Sequence, residues 1–152
     1  MQLRTDSRAG FTILEMMFVI LIGSVLTGVT LQAYSSAIDR FGARGALTTF
    51  ASYHARSRVV AIETGATAQL LVSAAGDSIA LITDGVTIDR VDLRDEFGAN
   101  IVLDDASLQI CMGPRGHAIA SCNSFTASQI IRFIVGTDTA SVEILPSGQL
   151  LY

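Results

Sequence analysis

The pattern of apolar and polar positions divides the chain into parts of different character. Residues 1–10, MQLRTDSRAG, are polar and carry Arg4 and Arg8. From Phe11 to Leu31 the sequence is apolar almost throughout, and Glu15 is its only ionisable residue. Twenty-one residues are enough to span a hydrocarbon layer of about 30 Å as a helix. Beyond it, Leu31, Tyr34, Ile38 and Phe41 recur at 3–4–3 spacing and so share one helix face, while Asp39, Arg40 and Arg44 point elsewhere. Gly42 and Gly45 blur the pattern before Leu47, Phe50 and Tyr53 resume it. The spacing predicts a helix to about Glu63, ended by Thr64-Gly65, with its outer half laying an apolar stripe on a globular domain.

From Thr67 the period changes. Ala68–Ser73 and Ser78–Thr83 are strand-like and flank Ala74-Ala75-Gly76-Asp77, a hairpin turn. Val86–Leu93 alternates, with one slip near Asp89-Arg90. Ile101–Leu103 and Leu108–Cys111 are further short strands. Ile130–Val135 and Ser141–Leu145 flank a second hairpin turn, Gly136-Thr137-Asp138-Thr139, and Gln149–Tyr152 is a last strand or an extended tail. One long helix followed by many antiparallel strands predicts an α+β fold.

Length and charge narrow the picture. The 152 residues suffice for one domain, and half are apolar, with the excess concentrated between Phe11 and Leu31. All ten basic residues are Arg, and the net charge is −4. An acidic chain lacks the long-range attraction that concentrates basic proteins on nucleic acid or anionic lipid, so a protein partner is the first expectation. Cys111 and Cys122, with ten residues between them, read as two thiols in a cytosolic protein and as one disulfide in an exported one. The N-terminus therefore decides the cysteines.

Three readings of the N-terminus compete: a simple anchor, a secretory signal peptide cut near Ala33-Tyr34-Ser35, and a processed leader. Arg4 and Arg8 favour a cytoplasmic N-terminus, although Arg40 and Arg44 lie close on the other side. Glu15 strains the first two readings, because a carboxylate in an apolar span costs roughly 2.5–3.5 kcal/mol and usually has a specific partner. The string Gly10-Phe11-Thr12-Ile13-Leu14-Glu15 resembles the processing motif of type IV prepilins and type II secretion pseudopilins. The resemblance implies cleavage between Gly10 and Phe11 by a prepilin peptidase, with methylation of the new Phe11 amine. It also implies that Glu15 serves assembly by pairing with the N-terminal amine of a neighbouring subunit. Two opposite charges are tolerable together inside a helical bundle where either alone is costly. Many major pilins carry a helix-breaking proline where this chain has Gln32; Gly23 and Gly28 could loosen the helix instead, or serve close helix packing.

The resemblance extends along the chain. Ala55-Arg56-Ser57-Arg58 through Gly65, leading into a strand pair, and the closing Ser141–Leu151 stretch are similar to the H-type minor pseudopilins and FimT-like minor pilins. It implies a leader at 1–10, a transmembrane and assembly helix at 11–38, and an extracytoplasmic α+β domain at 39–152, packed as a long helix on an antiparallel sheet. An inner-membrane subunit with its domain in the periplasm would have Cys111 and Cys122 oxidised. Its implied partners are the prepilin peptidase, other pilins or pseudopilins in a filament, the inner membrane and secreted proteins. The implied function is that of a minor pseudopilin of a type II secretion system, helping to export folded proteins; the alternative is a FimT-like minor pilin in pilus assembly or DNA uptake.

No catalytic constellation competes with this, and no cofactor is implied. His54 and His117 lie far apart and outside any metal-ligand spacing, so no metal site is expected. Asp104-Asp105 and Asp92–Glu96 lack the glycine-anchored pattern of a calcium loop and read as solvated turns. There is no nucleophile elbow and no phosphate-cradling glycine loop, so an enzyme is not expected. Arg115 and His117, in the loop between the cysteines, could touch a partner. DNA capture would need clustered arginines; Arg40, Arg44 and Arg58 can share a helix face, while Arg90, Arg94 and Arg132 are scattered among acids.

Overall fold

A computed structural model describes residues 11–152, with the side chains of residues 29–33 outside the description. The leader at 1–10, and Gly10 with it, therefore lies outside the described residues. The chain divides between Ser35 and Ser36 into two units. Helix α1 runs Ile13–Thr64 and stops directly before Gly65, where the sequence pattern placed its end. The strands are β1 (Ala68–Ser73), β2 (Ser78–Thr83), β3 (Val86–Asp92), β4 (Asn100–Val102), β5 (Ser107–Met112), β6 (Gln129–Val135), β7 (Asp138–Ile144) and β8 (Leu150–Leu151), with a short helix α2 (Leu93–Phe97) after β3. The fold is α+β, as the pattern predicted.

The antiparallel β domain consists of two four-stranded sheets, ordered β3-β2-β1-β5 and β4-β6-β7-β8, with every neighbouring pair antiparallel. Alternation decides their inner faces. Ala68, Leu70 and Val72 of β1, Ile79 and Leu81 of β2, and Ile110 and Met112 of β5 are buried from the first sheet. Ile131, Phe133 and Val135 of β6 with Val142 and Ile144 of β7 are buried from the second. All belong to one apolar core. The slip expected near Asp89-Arg90 is a bulge at Ile88, where Leu81 pairs with Asp89 but Ile82 pairs with Thr87.

The helix meets this core with a face the spacing predicted only in part: Phe50 is buried and Leu47 and Tyr53 pack against the core, but the earlier positions do not. Ile38 and Phe41 are exposed, Phe41 by 76%, and Tyr34 is exposed as well; the side chain of Leu31 is outside the description. The buried positions beside Phe50 are Ala43, Ala46, His54, Ser57 and Ala61. The reason is distance. A Cβ on Gly42 would come within 2.8 Å of the Phe97 carbonyl oxygen, and one on Gly45 within 2.8 Å of the Phe97 ring. So close an approach leaves no room for a Cβ at these two positions, and the neighbouring Ala43 and Ala46 are buried beside them. Phe50 is the large group that enters, its ring 5.9 Å from that of Phe133.

Two further expectations are corrected by local chemistry. Leu93 does not end β3, and Asp92–Glu96 is not a solvated turn. Asp92 caps α2, accepting from the N–H groups of Arg94 and Asp95, and Gly98 closes the helix in a left-handed conformation. The β6–β7 turn is two residues, Gly136-Thr137, and Asp138 and Thr139 belong to β7. The unpredicted β2–β3 turn is Asp84-Gly85, both at positive φ, the residue pair that suits a two-residue hairpin.

Asp77 ties these parts together. It is 3% exposed; its carboxylate accepts from the Ile101 N–H at 2.6 Å and pairs with Arg94, and its carbonyl accepts from the Leu93 N–H at 2.8 Å. One residue of the first sheet's turn thus anchors α2 and β4 of the second sheet. Removing its carboxylate would strand the buried Ile101 N–H. Asp77→Ala should lower the unfolding free energy of residues 36–152 by about 2–4 kcal/mol, and Asp77→Asn by less than half as much, because Asn keeps an acceptor and tolerates the left-handed backbone. Urea unfolding of both variants tests this; equal losses would contradict the role given to the Ile101 bond.

Candidate functional site

The start of α1 is a capped helix end. The Glu15 N–H donates to Thr12 Oγ1 at 3.2 Å, and the Met16 N–H donates to the Thr12 carbonyl at 3.2 Å. Thr12-x-x-Glu15 therefore has the spacing of a capping box, a local role for both residues that the sequence reading passed over. Glu15 lies in the first turn, where the partial positive charge of the helix N-terminus favours a carboxylate. The side chain is exposed and has no cationic partner among the described residues. Phe11, the expected new N-terminus, is 78% exposed.

The apolar run that follows is uncovered. Every large apolar side chain from Phe11 to Leu26 is more than half exposed. Each gains roughly 1.5–3 kcal/mol on full burial, so this segment has a strong drive toward apolar surroundings. Among the described residues no helix is long and apolar enough to cross a membrane. The expected run to Leu31 ends among residues 29–33, outside the described side chains.

Cys111 and Cys122 are joined as a disulfide, with their Cα atoms 5.8 Å apart. The enclosed loop is held at several points besides the sulfur bridge. Ile119 N–H donates to the Cys111 carbonyl at 2.9 Å, Cys111 N–H donates to Asn123 Oδ1 at 2.9 Å, and Asn123 Nδ2 donates to the Pro146 carbonyl at 3.2 Å. Arg115 and His117 are exposed on this loop. Replacing both cysteines by Ala should cost residues 36–152 about 3 kcal/mol, the chain-entropy value for a loop of this size, in a urea titration against the oxidised protein; an unchanged midpoint would show that the hydrogen bonds alone hold the loop.

The two histidines are far apart in environment as in sequence. Among the described residues no group of three or more His, Cys, Asp or Glu is placed to hold a metal ion. His54 is 5% exposed and its Nε2 has no hydrogen-bond partner. Burial, reinforced by the nearby Arg58 charge, pushes its pKa down to about 4, against a smaller opposing effect from the Gly148 backbone. The folded protein thus binds fewer protons than the unfolded chain between about pH 4 and pH 6.5. Stability is therefore full above pH 6.5 and falls as the pH drops, by on the order of 3 kcal/mol at pH 4. His54→Gln should flatten that part of the stability–pH profile; an unaltered slope would mean that carboxylates alone set it.

The arginines are dispersed. Arg40 pairs with Asp138 at 3.4 Å, Arg56 pairs with Asp89, Arg94 pairs with Asp77, and Arg90 donates to Ser78 Oγ at 3.1 Å. Arg44 and Arg58 have no carboxylate partner among the described residues.

Comparison with known proteins agrees with both the N-terminal segment and the fold. Residues 6–31 match the prokaryotic N-terminal methylation motif. Two crystal structures of the type IV minor pilin FimU from Pseudomonas aeruginosa (strain PAO1) are similar in fold. One has a TM-score of 0.52 at 9% identity, over 71% of this chain and 90% of FimU. The other has a TM-score of 0.54 at 9% identity, over 74% and 88%. A comparison with curated proteins finds no match. The methylation motif leads into a long helix, and the α+β domain that follows is similar in fold to FimU. This chain is type IV pilin-like in both its N-terminal motif and its fold.

Proposed function

We propose that the chain is a minor, non-catalytic subunit of a type II secretion pseudopilus, processed by a prepilin peptidase and assembled in the inner membrane through its N-terminal helix. The observation that carries this reading is Glu15, the single ionisable residue of the apolar run Phe11–Leu31 within a matched methylation motif, which would stand fifth in a chain cut after Gly10. Cleavage after Gly10 would create an amine at Phe11, and methylation would keep it cationic. An amine from one subunit and Glu15 from the next neutralise each other where neither is tolerated alone. The uncovered apolar face from Phe11 to Leu26 supplies the surface for lipid and for neighbouring helices. The domain from Ser36 onward would then lie in the periplasm, an oxidising compartment that suits the Cys111–Cys122 bridge.

A second reading, a minor pilin of a type IV pilus, is favoured by the likeness to FimU. Exoprotein export and surface piliation in a deletion strain separate the two readings. For both, mass spectrometry of the mature protein should find N-methylated Phe11 as the first residue. Glu15→Ala should be processed normally yet reach filaments at a tenth or less of the wild-type level. Normal incorporation would remove the role given to Glu15, and a different first residue would remove the processing scheme.

A further inference from the structure

We propose that the seam between α1 and the open edge of β7 receives an extended polypeptide segment of a partner protein, one that carries a carboxylate and adds a strand to the β4-β6-β7-β8 sheet. Strand β8 has two residues and pairs only with Glu143 and Ile144, whereas β7 runs back to Asp138. The Leu145 N–H donates to the Gln149 carbonyl at 2.9 Å. Main-chain groups of an antiparallel strand face alternate sides, so those of 145, 143, 141 and 139 face the β8 side. There β8 covers Glu143 and leaves the N–H and C=O of Ser141 and Thr139 without a strand partner. Those four groups line up at the spacing of a strand.

Across from them α1 contributes Arg40, Ala43, Arg44 and Leu47 to a groove of about 590 Å³. Arg40, 68% exposed, is shared with Asp138, the one Asp or Glu side chain in the described lining, which Tyr152 completes beyond β8. Arg44 has no carboxylate partner among the described residues. A chain of net charge −4 thus presents two arginines to one aspartate here. A carboxylate on the incoming segment would meet Arg44 and compete for Arg40. Strand addition supplies the binding through main-chain bonds, and the arginines select an acidic side chain. A nucleic acid would satisfy the arginines but not the paired donors and acceptors of Ser141 and Thr139, and would meet the Asp138 carboxylate at the lip.

The test uses the full chain in detergent micelles with an end-blocked eight-residue peptide of alternating Thr and Val bearing one central Glu. Bound peptide should slow amide exchange at Thr139 and Ser141 at least tenfold. Replacing the peptide's Glu by Gln, or making Arg44→Gln in the protein, should weaken binding about tenfold in fluorescence anisotropy. Ser141→Pro should abolish binding while leaving the melting temperature within a few degrees, because the lost N–H lies outside the β6 ladder. The proposal fails if Thr139 and Ser141 gain no protection, or if a proline-interrupted peptide binds as well. It fails equally if a single-stranded oligonucleotide binds the same arginines more tightly than the peptide, which would make the seam a nucleic-acid surface.

Discussion

The close approach of α1 to the sheets is the constraint on which the rest of the domain depends. At Gly42 and Gly45 the helix lies so near Phe97 that no Cβ fits without displacement, and Ala43 and Ala46 complete the contact. Small residues are used here because interior packing leaves few voids, and a helix held this near has no space for Leu or Ile. Phe50 then fills the wider gap below and meets Phe133. With that face committed to the core, Ile38 and Phe41 turn to solvent, and Arg40 and Arg44 line the seam beside β7. The same packing brings Asp39 over Gly136, whose missing side chain makes room for the carboxylate at the β6–β7 turn.

Buried polar groups provide the second level of organisation. Asp77 links the turn of one sheet to a strand of the other and to α2, so its carboxylate orients elements as well as stabilising them. His54 is different in kind: it is buried without a partner for Nε2 and is held neutral by its surroundings. The first group contributes specificity through satisfied hydrogen bonds, and the second makes the domain sensitive to acid. The disulfide closes a loop already tied down by Asn123 and Ile119, which places its contribution mainly in the unfolded chain.

The N-terminal segment follows another logic. An apolar helix with no covering has free energy to gain only by entering lipid or by meeting other helices, and Glu15 makes the first option incomplete. The proposed filament role rests on that unresolved charge, and the capped helix end at Thr12 is compatible with it. Capping engages the Thr12 hydroxyl and the Glu15 backbone, and leaves the Glu15 carboxylate exposed for another partner.

By itself the sequence determined the α+β class, the helix end before Gly65, the β1–β2 hairpin and most of the strands, because hydrophobic period and turn residues act locally. It also carried Glu15 and the methylation motif, whose meaning lies in residue type and spacing alone. The Asp92 cap of α2 and the Asp84-Gly85 turn were legible but passed over, since their signals are short and compete with an alternating strand pattern. Only the tertiary structure decided which helix face is buried, because a stripe of large apolar residues and a strip of glycine and alanine at the same spacing cannot be ranked without the distance to the sheets. It alone divided the described strands into two sheets, joined them through Asp77, and left the edge of β7 open, since each depends on residues far apart in the chain.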